Sequence, residues 1–183
     1  RDPTSCDYAQ LEEPVGYDLG GDDSRLRLVL GDDELARVTL VEGDVTDGVA
    51  LGRALDEHGI TRVVHLAALQ VPFCRADPLR GARVNVDGTV AVFEAVKARL
   101  GRIPGLAYAS STAVYTVTDP SPAPESGGTE PSTLYGVYKL ANEGTARVYW
   151  NESDVPSIGM RPYIVYGPGR DQGLTSGPSL AMA

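Results

Sequence analysis

Cysteine is scarce in this sequence: its 183 residues include only two, Cys6 and Cys74. Two isolated thiols cannot form the disulfide framework of a small secreted domain, and they are too few for a cysteine metal cluster. No apolar run approaches the roughly 20 residues that a membrane-spanning helix requires. The first five residues also lack the apolar segment of a signal peptide. These absences predict a soluble, cytoplasmic protein whose two cysteines are ordinary thiols.

Basic side chains are also in the minority, with 16 Lys and Arg against 25 Asp and Glu and a net charge of −9. An acidic surface repels polyanions, so neither nucleic acid nor an anionic membrane is expected as the main partner. The length suits a single domain with one substantial core.

Hydrophobic periodicity divides the chain into an irregular lead-in, 1–36, and a core, 37–170, in which strands and helices alternate. Strands are predicted at 37–45, 61–69, 106–115 and 157–166, and helices at 48–58, 78–100 and 131–152. Asp47 is the expected N-cap of the first of these helices and Gly59 its stop. Four prolines in 118–131 predict an exposed loop over the end of the sheet. Such alternation is typical of an α/β, Rossmann-like, doubly wound parallel sheet.

In a doubly wound sheet the binding crevice lies outside the carboxyl ends of the strands. The segments that follow the predicted strands should therefore converge on one rim. They are Asp44, Ala67 to Gln70, Ser110 to Thr112, and the residues after Arg161.

Tyr135 and Lys139 are four residues apart in a predicted helix, so they lie on one face. A neighbouring ammonium favours the ionised phenol, which could then act as a base on a substrate alcohol. Ser111 ends an apolar strand and could contribute a hydroxyl to the same site. The alternatives are a surface pair on the helix and a serine that satisfies a backbone group.

His65 is interpreted as a partly buried imidazole rather than a metal ligand, because no second His or Cys lies at ligand spacing. No metal site is predicted. Asn85 inside a helix implies a specific hydrogen-bond partner. Arg161 is expected to form a structural ion pair.

Six ordered segments resemble the extended short-chain dehydrogenase/reductase superfamily, which contains the NAD-dependent sugar epimerases and dehydratases. They are Gly43-Asp44-Val45-Thr46-Asp47, His65-Leu66-Ala67-Ala68, Asn85-Val86-Asp87-Gly88-Thr89, Ser110-Ser111-Thr112-Ala113-Val114-Tyr115, Tyr135-Gly136-Val137-Tyr138-Lys139 and Arg161-Pro162-Tyr163-Ile164-Val165-Tyr166-Gly167-Pro168-Gly169.

The resemblance implies a catalytic set of Ser111, Tyr135 and Lys139. It implies NAD as cofactor, with NADP left open, and contacts from Asp44, Val45, Ala67, Ala68, Leu69, Asn85, Tyr135, Lys139, Pro162 and Tyr163. The implied substrate contacts are Gln70, Ser111, Thr112 and Arg170, and 171–183 would begin the substrate-binding region. The expected assembly is a homodimer.

The family's pyrophosphate loop, Gly-x-x-Gly-x-x-Gly, is not found in these 183 residues. Its absence removes the helix N-terminus that would hold the diphosphate. The family's carboxyl-terminal substrate lobe is not found either. The Rossmann-like fold is thus expected to be incomplete, because segments are omitted or the product is truncated.

Three functions follow from these observations. The first is an NAD-dependent epimerase or dehydratase that acts on a sugar or nucleotide sugar through a keto intermediate. The second is an NAD-dependent sugar or sugar-acid dehydrogenase. The third is a truncated, non-catalytic Rossmann-like module.

Overall fold

The structure, a computed structural model, describes residues 13–20, 23–24, 26–127 and 130–167, with 177 and 181. Its strands are β1 (Val15–Asp18), β2 (Thr39–Glu42), β3 (Val63–His65), β4 (Leu106–Ala109) and β5 (Ser157–Met160). Its α-helices are α1 (Asp32–Leu35), α2 (Gly48–Glu57), α3 (Val71–Ala76), α4 (Pro78–Ala82), α5 (Gly88–Lys97) and α6 (Leu134–Ser153). Short 3₁₀ turns occupy Leu26–Leu28 and Thr112–Val114, and a π-helical turn occupies Arg83–Asp87.

The strands form two parallel sheets, one of β1 and β2 and one in the order β3, β4, β5. Val63 pairs with Leu106 and Leu106 pairs with Ser157, so all three carboxyl ends of the second sheet reach the same edge. Within the described residues, β1 and β3 each pair along one edge only. The predicted parallel α/β class is confirmed, and the division into two small sheets agrees with an incomplete fold.

Helix α2 begins and ends where the sequence predicts. The Asp47 carboxylate accepts hydrogen bonds from the backbone N–H groups of Val49 and Ala50, at 3.1 and 2.9 Å. Gly59 has a φ of +60°, a conformation that favours glycine and stops the helix. Leu51 and Leu55 on one face of α2 are buried in the core.

Several parts of the element prediction are wrong. Each of the four predicted strands is shorter than expected, and the strand predicted at 106–115 ends at Ala109 and is followed by the 3₁₀ turn Thr112–Val114. The lead-in 1–36 is not uniformly irregular, because Val15–Asp18 forms β1, a strand that exists by pairing with β2. The predicted continuous helix 78–100 is divided into α4, the π-helical turn and α5. Helix α3 was not predicted, since its six residues are too few to show a helical period.

The core lies between the second sheet and helices α2, α5 and α6. Phe93 of α5 is fully buried, and its ring packs edge-on against Tyr108 of β4 at 5.9 Å between centroids. The other face of this sheet is open: Val64 and Ile158, which flank Ala107 in one cross-strand row, are 63% and 70% exposed. None of the described helices is long and apolar enough to cross a membrane.

Candidate active site

The start of α6 is held tightly against the end of β4. Thr133 caps the helix, its hydroxyl oxygen accepting from the N–H of Gly136 at 3.1 Å. A Cβ at position 136 would overlap the carbonyl oxygen of Ala113, so glycine permits the close approach. This contact places the first turn of α6, which carries Tyr135, beside the 3₁₀ turn that Ser111 begins.

Lys139 is buried, with 1% of its surface exposed. Its ammonium donates a 2.7 Å hydrogen bond to the carbonyl oxygen of Ala109, the last residue of β4. The same Nζ lies 5.8 Å from the centroid of the Tyr135 ring. Burial lowers the pKa of Lys139 to about 8. The side chain is therefore mainly an ammonium at neutral pH, beside the phenol.

Ser111 lies two residues after β4, at the N-cap of the Thr112–Val114 turn. Its hydroxyl oxygen accepts a 3.1 Å hydrogen bond from the N–H of Ala113. This is the backbone role that the alternative interpretation anticipated. Because the bond uses the oxygen as acceptor, the hydroxyl proton can still be donated to another group.

Two other strand ends reach the same edge. Thr112 donates from its backbone N–H and its hydroxyl to the carbonyl oxygen of Pro162, at 3.1 and 3.3 Å, which ties the end of β4 to the end of β5. Tyr163 beyond it is exposed. After β3, Gln70 is the N-cap of α3, and Leu69 accepts hydrogen bonds through its carbonyl oxygen from Cys74 and Asn85. Ala67 is exposed and Ala68 is half-buried beside it.

Asp44 and Val45 follow β2 in the two-stranded sheet, so no strand register connects them to this edge. Val45 nevertheless packs against Gly88 at the start of α5, where an added Cβ would lie 2.7 Å from a Val45 methyl group. The Asp44 carboxylate accepts two 2.8 Å hydrogen bonds from Thr46, which lower its pKa and keep it ionised. Arg170 lies outside the described residues.

A buried polar cluster lies behind the Tyr135 and Lys139 pair. Asn85 is fully buried and donates from its side-chain amide to the carbonyl oxygen of Gly81 at 2.9 Å. Thr89 donates to the backbone carbonyl of Asn85 at 2.7 Å, so its oxygen must accept the 3.0 Å bond from Nε2–H of His65. Desolvation, with a smaller effect of the Lys139 charge, lowers the pKa of His65 to about 4. His65 is therefore a neutral, structurally bonded imidazole, as the sequence suggested.

Sequence reasoning placed Ser110 at this edge but missed its partner there, Glu143. Ser110 donates to Glu143 of α6, and Glu143 forms a two-pronged ion pair with Arg161. The signal was present in the helical spacing, since Glu143 follows Lys139 by four residues and so lies on the same face of α6. The expected ion pair of Arg161 is confirmed.

Several residues that the sequence predicts as cofactor contacts fit a dinucleotide in their chemistry. Asp44 offers a charged acceptor, Ala67 offers an exposed small side chain for close approach, and Tyr135 with Lys139 offers hydroxyl and ammonium donors. The diphosphate contact of a glycine-rich loop is the part that this sequence does not supply. Among the described residues, no group of three or more His, Cys, Asp or Glu side chains could hold a metal ion.

The fold is that of a Rossmann-like α/β protein of the short-chain dehydrogenase/reductase type. Residues 20–181 match the NAD dependent epimerase/dehydratase family. The chain belongs to that family, and the predictions of the family, its cofactor NAD and its Rossmann-like fold are confirmed.

Three similar proteins show how much of a family member is present. UDP-glucuronate 4-epimerase 5 of Arabidopsis thaliana is 34% identical over 137 residues, which are 74% of this chain and 31% of that protein. D-erythronate dehydrogenase of Cupriavidus necator is 33% identical over 142 residues, 77% of this chain and 43% of that one. The structure of UDP-glucose 4-epimerase from Brucella ovis in complex with NAD superposes with a TM-score of 0.70 at 27% identity, covering 90% of this chain and 49% of that one. The chain thus spans less than half the length of each.

Proposed function

We propose that this chain forms the part of an NAD-dependent epimerase or dehydratase that carries its proton-transfer residues, and that the substrate is a sugar or nucleotide sugar. The observation that supports this most strongly is the position of Lys139. Its buried ammonium is bonded to the end of β4 at 2.7 Å and lies beside the Tyr135 ring. The similarity to two UDP-sugar epimerases favours a nucleotide sugar.

In this proposal, Tyr135 as a phenolate takes the proton from a substrate hydroxyl group. The positive charge of Lys139 stabilises that phenolate, and burial strengthens the interaction because the surroundings are poorly polarisable. Ser111 donates a hydrogen bond to the keto oxygen that develops on the sugar. Bound NAD would supply the acceptor and the donor of hydride. Asp44, Val45, Ala67, Ala68, Leu69, Asn85, Pro162 and Tyr163 are proposed to bind it.

Gln70 and Thr112 are proposed, with Ser111, as substrate contacts, since they follow β3 and β4 at the same edge. Arg170 is retained in this set from the sequence alone. A homodimer in the cytoplasm remains a prediction.

The proposed base is tested by Tyr135→Phe in the native polypeptide, with UDP-glucuronate and UDP-glucose as substrates. We expect kcat to fall by roughly 100-fold or more, the usual contribution of a general base, with NAD affinity nearly unchanged. The matched control is Tyr138→Phe on the same helix, whose hydroxyl donates to the Pro78 carbonyl at 2.9 Å. Near-normal turnover by Tyr135→Phe would eliminate Tyr135 as the base.

A second candidate, a sugar or sugar-acid dehydrogenase, is favoured by the similarity to D-erythronate dehydrogenase. Product analysis separates the two activities. Net accumulation of NADH indicates a dehydrogenase, and an isomerised sugar without net NADH indicates an epimerase.

The non-catalytic alternative rests on the absence of the glycine-rich loop from these 183 residues. Calorimetric titration with NAD distinguishes it, because a module without a dinucleotide site would release no heat at millimolar cofactor. A measurable heat that is lost in Asp44→Ala would exclude that alternative.

A further inference from the structure

Glu143 connects α6 to the ends of two strands. Its carboxylate accepts 2.8 and 2.7 Å hydrogen bonds from Nε and Nη2 of Arg161, which follows β5 directly. It also accepts from the hydroxyl of Ser110, which follows β4 and is buried. Burial alone would raise the pKa of Glu143, but the bonds from Arg161 and Ser110 hold it below its usual value. The carboxylate therefore stays charged within this cluster.

The third nitrogen of Arg161 points the other way, toward the proline-containing loop 116–127. Nη1 donates to the carbonyl oxygens of Glu125 and Gly127, at 2.9 and 3.1 Å. It also donates to the hydroxyl of Tyr115, which in turn donates to the Pro124 carbonyl at 3.0 Å. One guanidinium therefore joins the helix of the proposed base to the loop that follows Ser111.

The hydrogen bonds of Arg161 and Glu143 connect to the proposed active site, because Glu143 lies on the helix that carries the proposed base. Tyr135, Lys139 and Glu143 repeat at four-residue intervals and share one face of α6. Fixing Glu143 against Ser110 and Arg161 fixes the rotation of that face relative to β4. The loop 116–127 lies within the chain connection between Ser111 and α6, so holding it limits the movement of Ser111 and of the start of α6.

We propose that Arg161 is a positioning residue: through Glu143 and the carbonyl groups of loop 116–127, it holds Ser111 and Tyr135 in the relative positions that their contacts with one substrate oxygen require. The inference deepens the proposed function and rests on it. A guanidinium suits this role because its planar fork can bind a carboxylate at two points while another nitrogen binds carbonyl oxygens. A lysine at 161 has a single nitrogen, so it could not bind the carboxylate at two points while another nitrogen binds the loop carbonyls.

The first test measures how fast a protease cleaves loop 116–127, and it does not require an assay of turnover. The carbonyl that Arg161 binds at Glu125 belongs to the Glu125–Ser126 bond, the target of a glutamate-specific endopeptidase. In Arg161→Lys we expect this bond to be cleaved about tenfold faster than in wild type, because losing a hydrogen bond to a charged group eases local opening by about that factor. Mass spectrometry of the fragment that ends at Glu125, followed over time, gives the rate. Glu143→Gln should act in the same direction, and the double variant should add little to it.

The matched control is Arg99→Lys. Arg99 also donates two hydrogen bonds to one carboxylate, that of Asp56, at 2.8 and 2.6 Å. It donates further hydrogen bonds to the backbone carbonyl groups of Ala95 and Gly52. It joins α2 to the end of α5 rather than to the proposed site. Its replacement should lower stability while the cleavage of Glu125–Ser126 in the folded state keeps its wild-type rate.

The second test is kinetic. In the native polypeptide, Arg161→Lys should lower kcat roughly 10- to 100-fold, the cost of misplacing reacting groups by about 1 Å, with KM for the sugar changed far less. Arg99→Lys should keep the wild-type kcat. If Arg161→Lys does not fold, Tyr115→Phe removes a single hydroxyl from the same connection and should give smaller changes of the same kind.

Faster loop cleavage together with a selective loss of kcat supports the inference. Unchanged cleavage and unchanged kcat in a folded Arg161→Lys protein overturn it, and so does a pattern indistinguishable from that of Arg99→Lys. Absence of turnover in wild type would refute the proposed function instead. The cleavage rates then decide whether Arg161 holds the loop.

Discussion

The two sheets of this protein differ sharply in what they bury. In the three-stranded sheet, His65, Leu106 and Tyr108 are buried beneath α5 and α6. In the two-stranded sheet of β1 and β2, every residue is exposed or half-buried. The larger sheet also carries most of the proposed site, since β3, β4 and β5 end at one edge. The hydrophobic core and most of the proposed active site thus depend on the same three strands. The smaller sheet contributes chiefly Asp44 and Val45 to the proposed site.

The largest expected effect is a difference in the free energy of unfolding between two variants. One loses a buried ring that packs on the three-stranded sheet, and the other loses a partly exposed side chain of the two-stranded sheet. Phe93→Ala removes a ring packed against Tyr108 and Tyr149, and should lower the free energy of unfolding by about 3–5 kcal/mol. Leu40→Ala in β2, where the side chain is 37% exposed, should cost about 1 kcal/mol. Urea unfolding of both variants measures this. Equal losses would show that the smaller sheet is as well packed as the larger.

The next effect concerns pH and the buried His65. Its pKa of about 4 in the folded protein lies below the ordinary value of 6.5, because burial disfavours the imidazolium. Between these values the unfolded chain binds a proton that the folded chain does not, so stability falls as pH falls from 6.5 to 4. The loss attributable to His65 is at most about 3 kcal/mol.

Denaturant unfolding at several pH values, compared between wild type and His65→Gln, isolates this contribution from that of the carboxylates. The variant should show a shallower loss of stability over this range. Parallel curves for the two proteins would contradict the prediction.

Two glycines of the same helix provide a smaller and more local test. Gly136→Ala should cost roughly 1–3 kcal/mol, because its Cβ would overlap the Ala113 carbonyl and push α6 away from β4. Gly144→Ala, where nothing lies within 4 Å, should stabilise the protein by about 0.5–1 kcal/mol through helix propensity. Thermal and urea unfolding show whether each variant is less stable or more stable than wild type. A stabilising Gly136→Ala would mean that α6 is not held against β4 as described.

The smallest expected effect lies in the two-stranded sheet. The Tyr17 hydroxyl donates a long 3.3 Å hydrogen bond to the carbonyl oxygen of Asp44. Tyr17→Phe should therefore change the free energy of unfolding by less than about 1 kcal/mol. A larger loss in urea unfolding would show that this bond secures the end of β2, and with it Asp44.

Local sequence was enough to predict α2, its Asp47 cap and its Gly59 stop, because these depend on residues a few positions apart. It was also enough to place Tyr135 and Lys139 on one face of α6, since helical spacing alone determines that. It did not predict β1, whose four residues become a strand only by pairing with β2.

The tertiary structure decided what surrounds the pair. Lys139 is buried and bonded to Ala109, 30 positions earlier, and Glu143 meets Ser110 and Arg161 from 33 and 18 positions away. No local pattern encodes such partners, because burial and hydrogen bonding between distant segments depend on how helices pack on the sheet. The spacing of residues along α6 therefore determined which side chains lie on one face. The packing of α6 against the sheet determined the protonation, the neighbours and the position of those side chains.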